Sequence, residues 1–194
     1  MIAFIGVSKR FGEKIVLDNF NWTLPRGARV CIGGSSGAGK TTLLRLLARL
    51  DRPDAGAIEG LPASASYQFQ ENRLLPWYTA RRNLRLVTDE PDEWLDRVGL
   101  RGEGGSYPGE LSGGMRRRLS LARALASPAP LLLLDEPFME LDSDSKTRVM
   151  DAVRGQSGAM DREWIILVTH NQLDADALGF EYQTPLTRRA ESGL

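Results

Sequence analysis

The 194-residue chain has one cysteine, one histidine and no excess charge of either sign. Cys31 alone cannot close an intramolecular disulfide, which fits a reducing compartment, so a cytoplasmic setting is expected. Lysine and arginine number 25, as do aspartate and glutamate. Bulk attraction to nucleic acid is therefore not expected, and any phosphate chemistry must come from local geometry. Long apolar runs are missing as well: Arg45 and Arg49 interrupt the stretch from Leu43 to Leu50, and Leu131 to Leu134 stops at Asp135. Neither approaches the ~20 residues of a membrane-spanning helix. Met1 to Val7 is apolar but lacks a basic leader, a long apolar region and a small-residue cleavage site, so secretion is not expected. With no internal repeat or low-complexity tract, the length suits a single domain over residues 1–194.

What is present alternates between strand and helix signals. Ile2 to Leu24 carries short apolar runs around a turn at Phe11-Gly12-Glu13-Lys14, which predicts small antiparallel strands. A buried strand from Ala28 to Ile32 meets a glycine-rich loop and opens into a helix from Lys40 to Leu50. Asp51 to Gly56 stops that helix, and Ala65 to Phe69 reads as another strand. From about 71 to 126 the pattern is helical, with helices over Thr79 to Val87, Pro91 to Val98 and Gly113 to Ala126. Strands at Leu131 to Leu134 and Trp164 to Val168 enclose a further helix, and Gln172 to Leu178 predicts a last one. Strands alternating with helices imply a parallel sheet covered on both faces. The tail from Thr187 is expected to be loosely ordered.

The most specific motif is Gly34-Ser35-Ser36-Gly37-Ala38-Gly39-Lys40-Thr41, which matches G-x-x-x-x-G-K-[ST] between a strand and a helix. Glycines let backbone N–H groups turn inward around phosphate oxygens, the helix presents its positive end, and Lys40 adds a full charge. Thr41 is suited to Mg²⁺. Leu131-Leu132-Leu133-Leu134-Asp135-Glu136-Pro137 brings two carboxylates to the end of a buried strand, where open parallel sheets handle ligands. Asp135 then suits Mg²⁺, directly or through water, and Glu136 can accept a proton from attacking water. Without the glycine loop, the same pair would read equally as an acidic strand end.

A lone histidine is more often structural than catalytic. His170, however, follows the apolar strand Ile165 to Val168, so it reaches the same sheet edge as the carboxylates and could contact a terminal phosphate. Leu111-Ser112-Gly113-Gly114-Met115 starts a helix. Ser112 is a natural cap there, yet a hydroxyl and bare glycine amides at a helix N-terminus also make a second phosphate site. Two such sites in one chain suggest sharing within a dimer. For at least two of Arg116, Arg117 and Arg118, a solvated helix face is the expectation. Taken alone, Gln70 reads as an exposed glutamine and Phe11 as a core aromatic.

In order, Gly34 to Thr42, Gln70, Leu111 to Met115, Leu131 to Pro137, Leu141-Asp142 and His170 resemble the Walker A, Q-loop, signature, Walker B, D-loop and switch-histidine series of ABC ATPases. Within that family, Gln70 to Trp77 and Leu-Ser-Gly-Gly-Met look like the nitrate, sulfonate and taurine importer branch. The resemblance implies an α/β fold: a P-loop NTPase core with a mainly parallel sheet, a small N-terminal antiparallel subdomain and a helical insertion. It implies ATP and Mg²⁺ as cofactors, and a head-to-tail homodimer with ATP between the Walker A loop of one subunit and Ser112, Gly113 and Gly114 of the other. Phe11 would stack on adenine, Gln70 would sense Mg²⁺ and the attacking water, and Glu136 would be the catalytic base. His170 would hold the γ-phosphate, and Asp142 would help couple the two sites. Separate transmembrane permease subunits would insert a helix near Gln70 to Tyr78, which puts the chain at the cytoplasmic face of the membrane.

Three features depart from that pattern. Asn171 stands where Asp is usual, and Arg117 replaces a common Gln. The sequence stops soon after His170, so closing strands and C-terminal helices are expected to be reduced or missing. The leading expectation is ATP hydrolysis coupled to solute import. The alternatives are a non-transport ABC ATPase, or a shortened cassette that binds nucleotide without efficient turnover.

Overall fold

A computed structural model describes residues 1–156 and 162–186. The expected tail from Thr187 lies outside the described residues. Ile2–Phe11 (β1) and Lys14–Leu24 (β2) form an antiparallel hairpin whose two-residue connection begins at Gly12, at φ 57°. Ala55–Glu59 (β4) pairs antiparallel with the far edge of β1, giving the order β2-β1-β4. Arg29–Ile32 (β3), Ala65–Gln68 (β5), Leu131–Asp135 (β6), Trp164–Val168 (β7) and Glu181–Gln183 (β8) make a second sheet of order β5-β6-β7-β3-β8, parallel throughout. The strand β8, after His170, is one that the sequence did not announce.

The period of two along each central strand explains why these segments read as unbroken apolar runs. Leu131 and Leu133 of β6, with Ile166 and Val168 of β7, face a cluster shared with the hairpin and helix Lys40–Leu47 (α1). Leu132, Leu134, Ile165 and Leu167 point the other way. There they pack with helices Ala80–Arg85 (α2), Pro91–Arg97 (α3), Gly113–Ala126 (α4), Ser143–Arg154 (α5) and Gln172–Leu178 (α6). The sheet is thus dry on both faces.

The helix α1 ends three residues before the expected Leu50. Arg49 takes φ 57°, Arg49 N–H donates to Leu46 O and Leu50 N–H donates to Arg45 O. That pair of bonds is the Schellman closure, which usually places glycine at the left-handed position. The Arg45 guanidinium grips Asp51 at 2.7 and 3.0 Å and holds the chain as it leaves the helix. The other helices begin as their signals require, with Thr79 and Ser112 capping α2 and α4.

The strand β8 seats the start of the glycine loop. Gly33 N–H donates to Gln183 O at 2.8 Å, and a Cβ at Gly33 would lie 1.8 Å from the Tyr182 hydroxyl oxygen. The aromatic side chain occupies the space a larger residue needs, so Gly33→Ala is expected to cost about 1–3 kcal/mol through overpacking. Tyr182→Ala in the same chain should recover most of that loss. A double-mutant cycle by urea unfolding measures the coupling, and strictly additive effects would remove Tyr182 as the cause.

Candidate functional site

Four loops leave the carboxyl ends of adjacent parallel strands: residues 33–39 after β3, the turn at Gln70 after β5, Glu136 after β6, and Thr169-His170 after β7. Open α/β sheets gather ligands at this edge because the strand ends and following helix N-termini all face it. A cleft of ≈ 450 Å³ there is lined by Ser36, Gly37, Gly39, Lys40, Thr41, Thr42, Gln70, Asp135, Glu136 and His170, with Phe11, Lys14 and Val16 from the hairpin. Residues spread over more than 150 positions of sequence therefore meet in one place.

The glycine loop is built to curl around a small anion. Gly34, Gly37 and Gly39 have φ of 124°, 76° and 102°, a region that side chains resist. At Gly39 a Cβ would also come within 2.6 Å of the Val16 Cγ1. Lys40 is buried, and its Nζ donates to Gly34 O at 2.8 Å and Ser35 O at 2.9 Å, so the ammonium is held inside the loop. Burial lowers its pKa, while Glu136 and Asp135 oppose that shift. Gly34, Ser35 and Ala38 shape the loop without lining the cleft.

Asp135 is 2% exposed. The Tyr67 hydroxyl donates to its Oδ2 at 3.2 Å, and the Thr41 side chain also hydrogen-bonds to it. Burial raises the Asp135 pKa, and those two bonds, with Arg117 and Lys40, hold it down. A hydroxyl, a carboxylate and the nearby Gln70 amide are hard oxygen donors, the set that a small divalent cation such as Mg²⁺ prefers, with water and phosphate oxygens completing the shell. Among the described residues, no group of three or more His, Cys, Asp or Glu forms an all-protein metal cage.

The Glu136 carboxylate is half-buried, and its Oε1 lies 2.9 Å from His170 Nε2. Burial raises its pKa first of all; His170 and Lys40 act against that, and Asp135 adds to it. This fits a group that must take up a proton. It also has a stability consequence. Between the ordinary carboxylate value and the raised one, the folded chain holds a proton that the unfolded chain has released, so stability falls as pH rises through that window. Glu136→Gln is therefore expected to be more stable than the wild type at neutral pH, with the gap closing below about pH 4. Thermal unfolding followed across pH tests this, and a gap independent of pH would contradict it.

Phe11 is not a core aromatic: it is 50% exposed at the mouth of the cleft, with the Lys9 ammonium 5.3 Å from its ring centre. Ser112, Gly113 and Gly114 do not line the cleft. They start α4, where Ser112 Oγ accepts from Met115 N–H at 3.2 Å, and a Cβ at Gly114 would sit 3.6 Å from Glu140 O. Asp142 caps α5 by accepting from Ser145 N–H at 2.9 Å.

The arginine run departs from expectation, because Arg117 is buried and Arg116 and Arg118 are only half-exposed, each side chain turned back to backbone carbonyls. Arg116 reaches Pro108 O and Leu111 O, and Arg118 donates to Val98 O at 2.9 Å and Gly99 O at 2.7 Å. Arg117 is 3% exposed and bonds to Phe69 O, Gln70 O and Glu136 O. Loop carbonyls left without strand partners recruit these guanidinium groups. Tyr67, Lys14, Val16 and Arg117 all belong to the site's surroundings and were missed in the sequence. A helical wheel offers one signal: Arg117 shares the face of Ser120, Leu121 and Ala124, all buried.

Residue 83 shapes the neighbouring loop. The Asn83 Oδ1 accepts from Leu75 N–H at 2.9 Å, and its Nδ2 donates to the carbonyls of Leu75 and Tyr78. The loop so held projects Trp77, 66% exposed.

Comparison with known proteins adds three findings. A family model described as ABC transporter matches residues 17–139. The aliphatic sulfonates import ATP-binding protein SsuB 1 of Burkholderia lata is 42% identical over 188 residues, which cover 92% of this chain and 59% of that protein. Its counterpart in Mesorhizobium japonicum is 37% identical over 91% of this chain and 72% of its own length. The chain thus spans less than two thirds of the length of the Burkholderia relative. Among solved structures, a dimeric post-hydrolysis state of the ATP-binding cassette MJ0796 bound to ADP and Pi superposes with a TM-score of 0.81, at 28% identity and 95% coverage of both chains.

Proposed function

The chain belongs to the ABC transporter ATP-binding family, and from that premise we propose that it binds and hydrolyses ATP to drive import of a small solute through separate membrane subunits. The observation that carries this reading is the meeting of Lys40, Thr41, Asp135, Glu136 and His170 in one cleft. The loop amides, the N-terminus of α1 and Lys40 bind the phosphates. Phe11, at the mouth, stacks on the base. Thr41, Asp135 and Gln70 hold Mg²⁺, whose charge offsets that of the phosphates. Glu136 takes the proton of the attacking water, and His170, beside it, orients the terminal phosphate.

Ser112, Gly113 and Gly114 start a helix away from the lining of this cleft, which supports a head-to-tail homodimer in which they complete the partner's site. ATP then bridges two subunits, whereas ADP lacks the phosphate that does so. The dimer closes by that difference in affinity. Among the described residues no helix is long and apolar enough to cross a membrane. The loop that presents Trp77 offers an aromatic contact for a permease helix, consistent with a peripheral position at the cytoplasmic face. The sulfonate importers among the relatives suggest an organosulfonate or similar small anion as the solute.

The test is ATP turnover by the purified chain with and without Mg²⁺, with its association followed by sedimentation in ATP and in ADP. Mg²⁺-dependent turnover and a dimer in ATP alone support the reading. Tight ATP binding without turnover, even when permease subunits are supplied, would reduce the chain to a binding module.

A further inference from the structure

The buried guanidinium of Arg117 joins three backbone carbonyls from two loops. Its Nη1 donates to Phe69 O at 3.4 Å and to Gln70 O, and its Nη2 donates to Glu136 O. At the Glu136 end this bond restrains an unusual residue. Glu136 has φ 51°, a left-handed conformation uncommon for a residue with a side chain, and it must be held by its surroundings. Its N–H donates to Val168 O at 3.0 Å, so β7 holds the peptide group before the Glu136 Cα and Arg117 holds the one after it. At the Gln70 end, the same helix grips the loop a second time, because Arg123 Nη2 donates to Arg73 O at 2.7 Å.

We propose that Arg117 is a positioning residue that clamps the Gln70 turn to the left-handed backbone of Glu136, so that displacement of the loop from Gln70 to Tyr78 moves the Glu136 carboxylate relative to the cleft. No catalytic contact is assigned to Arg117 itself. It is absent from the cleft lining and acts only through main-chain carbonyls. Lysine cannot substitute fully, since one ammonium lacks the planar fork that reaches acceptors on both sides. The inference rests on the proposed ATPase reading for its kinetic consequence, but the clamp itself does not.

The test compares Arg117→Met, Arg117→Lys and Arg117→Gln with the wild-type chain by steady-state ATP turnover and by amide hydrogen exchange without nucleotide. Loss of charge-assisted bonds to two loops should lower kcat about 10-fold or more in Arg117→Met while KM for ATP stays within about 2-fold. Arg117→Lys should fall between, keeping one loop held. Exchange should rise together, by about 10-fold, in the segments around Gln70 and around Glu136, though they are far apart in sequence. An unchanged kcat in a hydrolysing wild type, a rise in exchange at only one of the two segments, or a uniform rise over the whole chain overturns the proposal. Arg117→Gln, polar but uncharged, provides the folded comparison if Arg117→Met unfolds, with the same paired rise in exchange expected. Absence of turnover in the wild type would sink the ATPase reading, and the exchange result would still decide the clamp.

Discussion

Glu136→Gln is expected to lower ATP turnover by about two to four orders of magnitude, the contribution of a positioned general base, and to leave an ATP-bound dimer that no longer dissociates. The substitution keeps the size of the side chain and its place at 2.9 Å from His170, but an amide has no lone pair basic enough to take a proton from water. Binding is expected to be preserved, because in the proposed site the phosphates are held by the loop and Lys40. Relief from burying a carboxylate also makes the folded variant more robust at neutral pH. Turnover and sedimentation in Mg²⁺-ATP are the measurements. Residual turnover within about 5-fold of the wild type would move the base elsewhere, with Asp135 the remaining carboxylate of the cleft.

Lys40→Ala is expected to weaken ATP binding by about 10- to 100-fold or more, as loss of a buried charge opposite phosphate does. Two effects add. The ammonium disappears from the phosphate cradle, and the bonds from Nζ to Gly34 O and Ser35 O that brace the loop are lost. Lys40→Arg separates them: it keeps the charge on a longer, planar group that does not fit between those two carbonyls. Titration calorimetry with ATP, at matched folded fraction by circular dichroism, reads both. Should Lys40→Ala bind ATP as the wild type does, the lysine serves only to brace the loop and the phosphates sit elsewhere.

Much of this site was legible in the sequence because its chemistry is local. The glycine loop needs glycines at fixed offsets, and Gly34, Gly37 and Gly39 do adopt positive φ. A strand dry on both faces must be uniformly apolar, so Leu131 to Leu134 and Trp164 to Val168 announced themselves. Ser112 declared a helix start and the helix α4 runs as expected from Gly113 to Ala126. Other features left no local mark. The strand β4 is mostly exposed and shows no alternation, and it is ordered by pairing with β1. The end of α1 at Leu47 depends on Arg49 taking a conformation that composition does not advertise.

The sequence by itself determined the class of fold, the order of its motifs and the candidates for phosphate handling, since each rests on neighbours a few positions apart. Only the tertiary structure decided which of those groups share a cleft, that Ser112 to Gly114 stand outside it, that Tyr67 bonds to Asp135, and that Arg117 is buried between two loops. Those relations depend on the stacking of distant strands and on unpaired carbonyls that appear only when the loops close. A run of three arginines carries the same charge whether it faces water or backbone. Packing assigns each guanidinium its partners, because a buried carbonyl without a donor costs more than ordering a side chain to reach it.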